Sequence, residues 1–365
     1  MATQIEVSLP ARINVVGSPT DAVEGAYATV SAAVEIRGGA RIRHAANLRF
    51  RRASGKSATF ARGRIDAAAG FEVEAAAVNA LLRHVGPFAA ALAERGAEIE
   101  TWTDVPPSSG LAGSSVLVLA VLTALRELYD LDRRRCNDYV IAEIAQRAEE
   151  QEMGIVCGFA DRYAPLFGGI AYLSYHGKLW HRALGDEPYV AYERLDPYVP
   201  QLRFCVATTG VQRDSGAVHA PMRARYLEER KQGRGPLLEL ARRLGETAWR
   251  GKIALLAADL AAFGAQVDRN QELVDAMMRE CGFAAGAGEE VGALIAAARE
   301  GGALGAKLTG AGGGGAVFAL PQPGREGHLA DTLRDAAHRH GLDRSEVFVL
   351  PVACQGLVVT RGEPQ

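Results

Sequence analysis

An α+β fold in two domains is the class this sequence predicts, and three observations carry it. The chain has 365 residues, and one domain usually takes about 100–200. Short β-type runs open the first half and lead into helical stretches, while in the second half strands alternate with helices. Between the halves lies a hairpin-like connector, residues 177–200, punctuated by Pro188, Pro197 and Pro200. The cut is placed there, giving regions 1–195 and 196–365.

Taken in order, residues 6–9 and 12–16 alternate or run apolar as strands do, and Gly17-Ser-Pro-Thr-Asp21 breaks the second. Residues 28–36 and 40–44 read as strands joined by Gly38-Gly39. Across 71–95, Val73, Ala76, Leu81, Leu82, Val85, Phe88 and Leu92 recur at helical spacing. Residues 97–102 return to alternation. A helix over 115–129 is apolar nearly all round and is therefore expected to be buried; the helix over 137–152 is amphipathic. Residues 166–175 read as a Gly-punctuated strand. Beyond the connector, 201–207 and 347–352 read as strands. Residues 220–230, 237–259, 271–278, 289–299 and 327–340 read as helices, and 307–320 as a Gly-rich turn running into a strand.

Charge is nearly balanced, with 41 Lys and Arg against 43 Asp and Glu and a net charge of −2. No whole-chain electrostatic drive toward nucleic acid or anionic membrane follows, so an anionic ligand has to be held locally. Hydrophobic content of 48% argues against disorder. The longest strongly apolar run, 116–125, is half of what a membrane-spanning helix needs. The N-terminus has no basic segment leading into an apolar one, so the cytoplasm is the expected compartment. Five scattered cysteines show no zinc-like spacing and read as reduced. Glycine is in surplus, 41 residues against a usual ~7%, with no rise in proline or serine to make a linker of it.

Two glycine-rich segments follow. Pro107-Ser108-Ser109-Gly110-Leu111-Ala112-Gly113-Ser114-Ser115 stands directly before the apolar helix. Glycines allow close backbone approach to an anion, and the first helical N–H groups and the helix dipole favour one. A phosphate site and a plain Gly/Ser turn that caps a helix both fit this segment. Gly310-Ala-Gly312-Gly313-Gly-Gly315 matches the spacing of a dinucleotide fingerprint, but that motif must open a helix, and Ala316-Val-Phe-Ala-Leu320 continues as a strand. The ATP-binding G-x-x-x-x-G-K-[ST] pattern is absent. Glu150 and Asp161, the latter followed by Arg162, supply carboxylates of the kind phosphoryl transfer uses; a helix-end ion pair is the plainer reading.

Together these segments resemble the GHMP kinase superfamily. Its three motifs are similar to Pro10-Ala-Arg-Ile-Asn-Val-Val-Gly-Ser-Pro-Thr-Asp21, to Pro107–Ser115, and to Lys307-Leu-Thr-Gly-Ala-Gly-Gly-Gly-Gly315, in the same order over nearly the whole chain. Within the superfamily the likeness runs to the glucuronokinases, sugar-1-kinases acting on the anomeric hydroxyl of D-glucuronate, through Gly17–Gly25, Gly110–Ser115, Gly154–Arg162 and Ser215–Arg223.

The resemblance implies a ribosomal protein S5 domain 2-like N-terminal domain, a ferredoxin-like C-terminal domain, and ATP with Mg²⁺ between them. It implies that Asp161 accepts or orients the acceptor hydroxyl, with Arg12 close to the transferring phosphoryl. Ser115 and Glu150 would then hold Mg²⁺, Pro107 to Ser115 the ATP phosphates, and Asp21 a substrate hydroxyl, with Gly312 and Gly313 lining the site. A uronate carboxylate calls for a further cation, and Arg162, Arg213 and Arg223 are the candidates. His219, four residues before Arg223, shares its helix face. The expected partner is a small sugar or sugar acid, with neither nucleic acid nor membrane, and the chain is expected to be a monomer or homodimer. Another sugar or polyol (a heptose phosphate, galacturonate or mevalonate) and a silent ATP/sugar sensor are the alternatives.

Overall fold

The computed structural model describes residues 4–66, 68, 70–178, 182–211, 215–310, 312 and 314–362. The first strand, β1 (Gln4–Val16), is continuous where two short strands were expected. Pro10 has no N–H to give the ladder, but its pairing with β2 (Ala28–Ala45) shifts register between Pro10 and Ala11, and the bulge carries the strand past it. β2 likewise runs through Gly38-Gly39. It lies there between β1 and a later strand, and a Cβ on Gly39 would stand 2.1 Å from the Val7 carbonyl oxygen and 2.8 Å from the Trp102 ring.

A hairpin the sequence reading missed follows, β3 (Leu48–Arg52) and β4 (Ser57–Phe60). The helix expected over 71–95 is broken at the non-helical Val85 into α1 (Glu72–His84) and α2 (Gly86–Glu94), because Pro87 has no N–H for the Arg83 carbonyl and its ring would clash with that carbonyl in a continuous helix. After β5 (Gly96–Thr103), α3 (Gly113–Leu128) is buried from Ser115 through Glu127, as its all-round apolarity requires. α4 (Asp138–Arg147) ends in a π-helical turn, Ala148–Glu152. α5 (Ala160–Phe167) occupies part of the span expected to be strand, which shortens β6 to Ile170–Ser174, paired with β7 (Ala191–Arg194).

The second region opens with β8 (Arg203–Thr208) and four helices, α6 (Ser215–Gln232), α7 (Pro236–Leu256), α8 (Leu260–Glu280) and α9 (Glu289–Glu300). Then come β9 (Gly305–Thr309), β10 (Ala316–Leu320), α10 (Glu326–Arg339) and β11 (Val347–Pro351). The antiparallel sheet order β11-β8-β10-β9 is the ferredoxin-like order. β10 continues directly from the glycine loop, which agrees with rejecting the dinucleotide fingerprint.

The last strand, β12 (Val358–Gly362), returns to pair with β1, so the first sheet runs β12-β1-β2-β5-β3-β4 with β6 and β7 attached to β2. A cut at residue 195 therefore does not separate two self-contained pieces: region 196–365 donates a strand to the first sheet. One apolar cluster, including Ile13, Val30, Phe204, Phe263, Phe318 and Leu350, spans both sheets. Among the described residues no single helix is long and apolar enough to cross a membrane.

Because the space beside Gly39 is filled by backbone and an indole, Gly39→Ala is expected to lower unfolding free energy by about 1–3 kcal/mol, read from urea titration. An unchanged midpoint would show that β2 can shift away from β1.

Candidate active site

β1 delivers the first parts of the site. Arg12 and Asn14 are two residues apart on the strand and so project from the same face. Arg12, 3% exposed, donates from Nε to Asp161 Oδ1 at 2.6 Å, and its Nη2 lies 2.5 Å from Asp161 Oδ2. Its Nη1 donates to the Gly110 carbonyl at 2.5 Å, and its backbone N–H donates to Leu111 O at 3.2 Å. Asn14 Nδ2 adds a bond to Asp161 Oδ1 at 3.1 Å, while Asn14 Oδ1 accepts from Ser31 at 2.8 Å. Burial pushes the Asp161 carboxyl up, but the Arg12 charge and the bonds from Arg12 and Asn14 outweigh it and hold the group below the ordinary aspartate range.

The phosphate-loop candidate packs against the third glycine segment. Gly110 (φ +68°) lies so close to β9 that a Cβ would stand 2.3 Å from Thr309 O. Reciprocally, a Cβ on Gly310 would stand 2.8 Å from the Gly110 Cα. Thr309 Oγ1 also donates to Gly110 O at 3.2 Å. Ala112 holds the left-handed conformation, φ 67°, directly before α3, an uncommon place for a residue with a Cβ. Among the described residues α3 has no side-chain N-cap, and the buried Ser109 hydroxyl has no hydrogen-bond partner. Uncapped N–H groups and an orphan hydroxyl at one helix start are what an anionic phosphate would satisfy.

Ser115 donates to Glu149 Oε2 at 2.9 Å. The carboxylate expected there was Glu150, which instead pairs with Arg223 at 2.7 Å and accepts from Gln146. Both glutamates lie in the π turn, which presents Glu149 to Ser115 and Glu150 to Arg223.

Arg162 is internal. It forms an ion pair with Glu149 and donates to Gly158 O at 2.8 Å. Arg223 donates to Ala22 O, Cys157 O and Glu150, each within 2.8 Å. Two of the three arginines offered for a substrate carboxylate are thus committed to protein acceptors. Arg213 and Gly313 lie outside the described residues, and Gly312 (φ +88°) packs against Met278.

Asp21 sits in the short 3-10 turn Thr20–Ala22 and accepts the Ala160 N–H at 3.1 Å, holding the start of α5. Burial first, then the neighbouring Asp161, pushes its carboxyl up. His219 is brought close enough to Asp161 to feel its charge. Burial holds its imidazole neutral, down to about 4, against the pull of Asp161 and with Arg223, Arg12 and Arg162 adding to the effect.

Lys307, which the sequence reading left without a role, is buried on β9. It donates to Leu308 O at 2.8 Å, Asn14 O at 3.1 Å and Ser18 Oγ at 3.4 Å. The parts therefore converge: β1, the loop before α3, the first turn of α5 and the end of β9 meet around Asp161.

The family model for the GHMP kinases N terminal domain matches residues 73–169, and that for the GHMP kinases C terminal region matches 237–341. The chain is 28% identical to a D-glycero-alpha-D-manno-heptose 7-phosphate kinase of Campylobacter jejuni, over 65% of this chain and 64% of that protein. To a galactokinase of Thermococcus kodakarensis it is 29% identical, over 68% of this chain and 71% of that one. To glucuronokinase 1 of Arabidopsis thaliana it is also 29% identical, over 64% and 60%. The chain thus spans less than two thirds of the length of the first and third of these relatives.

Among solved structures, a Lin0012 protein from Listeria innocua matches with a TM-score of 0.76 at 16% identity, covering 98% of this chain and all of that one. A mevalonate kinase matches at 0.69 and 15%, covering 96% and 99%. At such identities the structures speak for the fold alone.

Because Gly110 has both a left-handed φ and a carbonyl against its Cα, Gly110→Ala is expected to weaken ATP binding tenfold or more while the fold persists, measured by titration calorimetry beside thermal unfolding. Unchanged affinity would place the phosphates elsewhere.

Proposed function

The chain belongs to the GHMP kinases, and on that footing we propose that it transfers the γ-phosphoryl group of ATP, with Mg²⁺, to a hydroxyl of a small sugar or polyol. The observation that carries this reading is Asp161, held as a carboxylate by Arg12 and Asn14 while Arg12 also grips the carbonyl of Gly110 in the loop that opens α3. An acceptor hydroxyl placed on Asp161 would face phosphates resting on the α3 N-terminus. Its oxygen bonds to the γ-phosphorus as the bond to the β–γ bridging oxygen breaks and ADP leaves, and its proton passes to Asp161. A strongly basic carboxylate is not needed, because a loose phosphoryl-transfer transition state calls for little proton removal before the leaving bond opens. Low basicity at Asp161 is therefore compatible with the role, and Arg12 offsets the negative charge gathered there.

The donors near the α3 start, the Ser115 hydroxyl and the Glu149 carboxylate, are hard oxygens of the kind Mg²⁺ takes. They would hold the ion, which when bound supplies charge neutralisation of the phosphates. D-Glucuronate remains one member of the acceptor class. The relatives at nearly equal identity are named for a heptose phosphate, galactose and glucuronate, and the commitments of Arg162 and Arg223 favour an acceptor other than a uronate.

Three outcomes test this reading. Asp161→Asn is expected to lower kcat at least a hundredfold in an ADP-release assay while ATP binding persists; near-normal turnover would remove Asp161 from the chemistry. Since the Asp161 carboxyl is held below the ordinary aspartate range, its active, ionised form persists as pH falls from 7 to 5. The acid limb of kcat/KM should lie lower still, and Asn14→Ala should move that limb upward; a limb that stays put would show the bond from Asn14 has no effect. Glu149→Gln should raise the Mg²⁺ requirement more than tenfold and Glu150→Gln less than threefold, and the reverse order would restore Glu150 as the ligand.

A further inference from the structure

We propose that the acceptor ends in an alkyl group where a hexose has its hydroxymethyl and a uronate its carboxylate, and that a methionine-lined recess beside Asp161 receives it. This deepens the kinase reading and rests on it.

The recess lies between α6, α8, β9 and the turn after β1. One end is polar, formed by Ser18, His219, Lys307 and Gly310. That end belongs to the reaction site, since Gly310 packs on Gly110 and Lys307 donates to the carbonyl of Asn14, whose side chain holds Asp161. The rest of the wall is apolar: Val218 and Met222 from α6, Val274, Met277 and Met278 from α8, and Phe283 beyond it. Thioethers shape themselves around small apolar groups.

The polar end offers an acceptor hydrogen bonds. Lys307 has three N–H donors and gives them to Leu308 O, Asn14 O and Ser18 Oγ. His219 Nδ1 is buried without a hydrogen-bond partner among the described residues. Its neutral ring can serve a hydroxyl, yet it cannot compensate a carboxylate. A carboxylate against the methionine wall would face sulfur and carbon among the described lining residues, and a hydroxymethyl would leave its hydroxyl unpaired against them. A methyl loses nothing and gains burial. The acceptor class that fits is a 6-deoxy sugar, or a polyol ending in methyl.

The test uses sugars that differ only at C6: 6-deoxy, hydroxymethyl and carboxylate members of the D-galacto, L-galacto and D-gluco series. Binding to the wild-type chain is measured by calorimetry, and turnover with ATP and Mg²⁺ by ADP release. The expected result is tenfold or greater preference for the 6-deoxy member within the series that binds. Met278→Gln should erase that preference, and Met222→Gln serves the same purpose if the first variant does not fold. A uronate or hexose that binds as well as the deoxy sugar overturns the inference, and so does the absence of binding by any of them. Deoxy preference in binding without ADP release keeps the recess and overturns the kinase reading, so the two failures are told apart.

Discussion

A single guanidinium organises the site. Arg12 spans the Asp161 carboxylate with Nε and Nη2 and reaches the Gly110 carbonyl with Nη1. The strand that carries it, the loop before α3 and the first turn of α5 are thereby held in one register. The planar fork of arginine suits a task that needs two parallel bonds to a carboxylate and a third elsewhere; the point charge of a lysine does not. Asn14, Ser31 and Lys307 extend the network so that the carboxylate is fixed from several sides. Such fixing matters in phosphoryl transfer, where placement and charge do most of the work.

The backbone imposes the second constraint. Gly110 and Gly310 touch through their main chains, which brings the α3 start from the first sheet against the β9–β10 loop of the second. Two segments some two hundred residues apart in sequence meet at a distance no side chain would allow. The surplus of glycine and the near-zero net charge fit the proposed kinase reading together: anions would be met by backbone N–H groups, a few placed cations and a metal, without a basic surface to gather them.

Much of this was legible in the chain. The three motif segments and the buried α3 follow from glycine spacing and all-round apolarity, and the strand after Gly315 from its β-type run. Asn14 was also within reach, since strand period places it on the face of Arg12. Other features depend on tertiary facts. Of two adjacent glutamates in the π turn it is Glu149 that faces Ser115, and local pattern does not reveal which of the two such a turn presents. α5 was hidden by Pro165 and flanking glycines, and it forms where Asp21, from far upstream, accepts the N–H of its first residue, Ala160. β12 pairs with a strand some 350 residues earlier, a contact that only the closed sheet defines. The protein partners of Arg162 and Arg223 were likewise hidden, because Glu149 and Glu150 reach them only once the π turn, α5 and α6 are packed together.

The most direct test of Arg12 as organiser is a double-mutant cycle on phosphoryl transfer, comparing Arg12→Ala, Asp161→Ala and the double variant by single-turnover ADP formation. If the two side chains act as one unit, the double variant should be no slower than the worse single within about threefold. Losses that multiply would contradict the account, because they would mean that Arg12 and Asp161 serve the reaction separately.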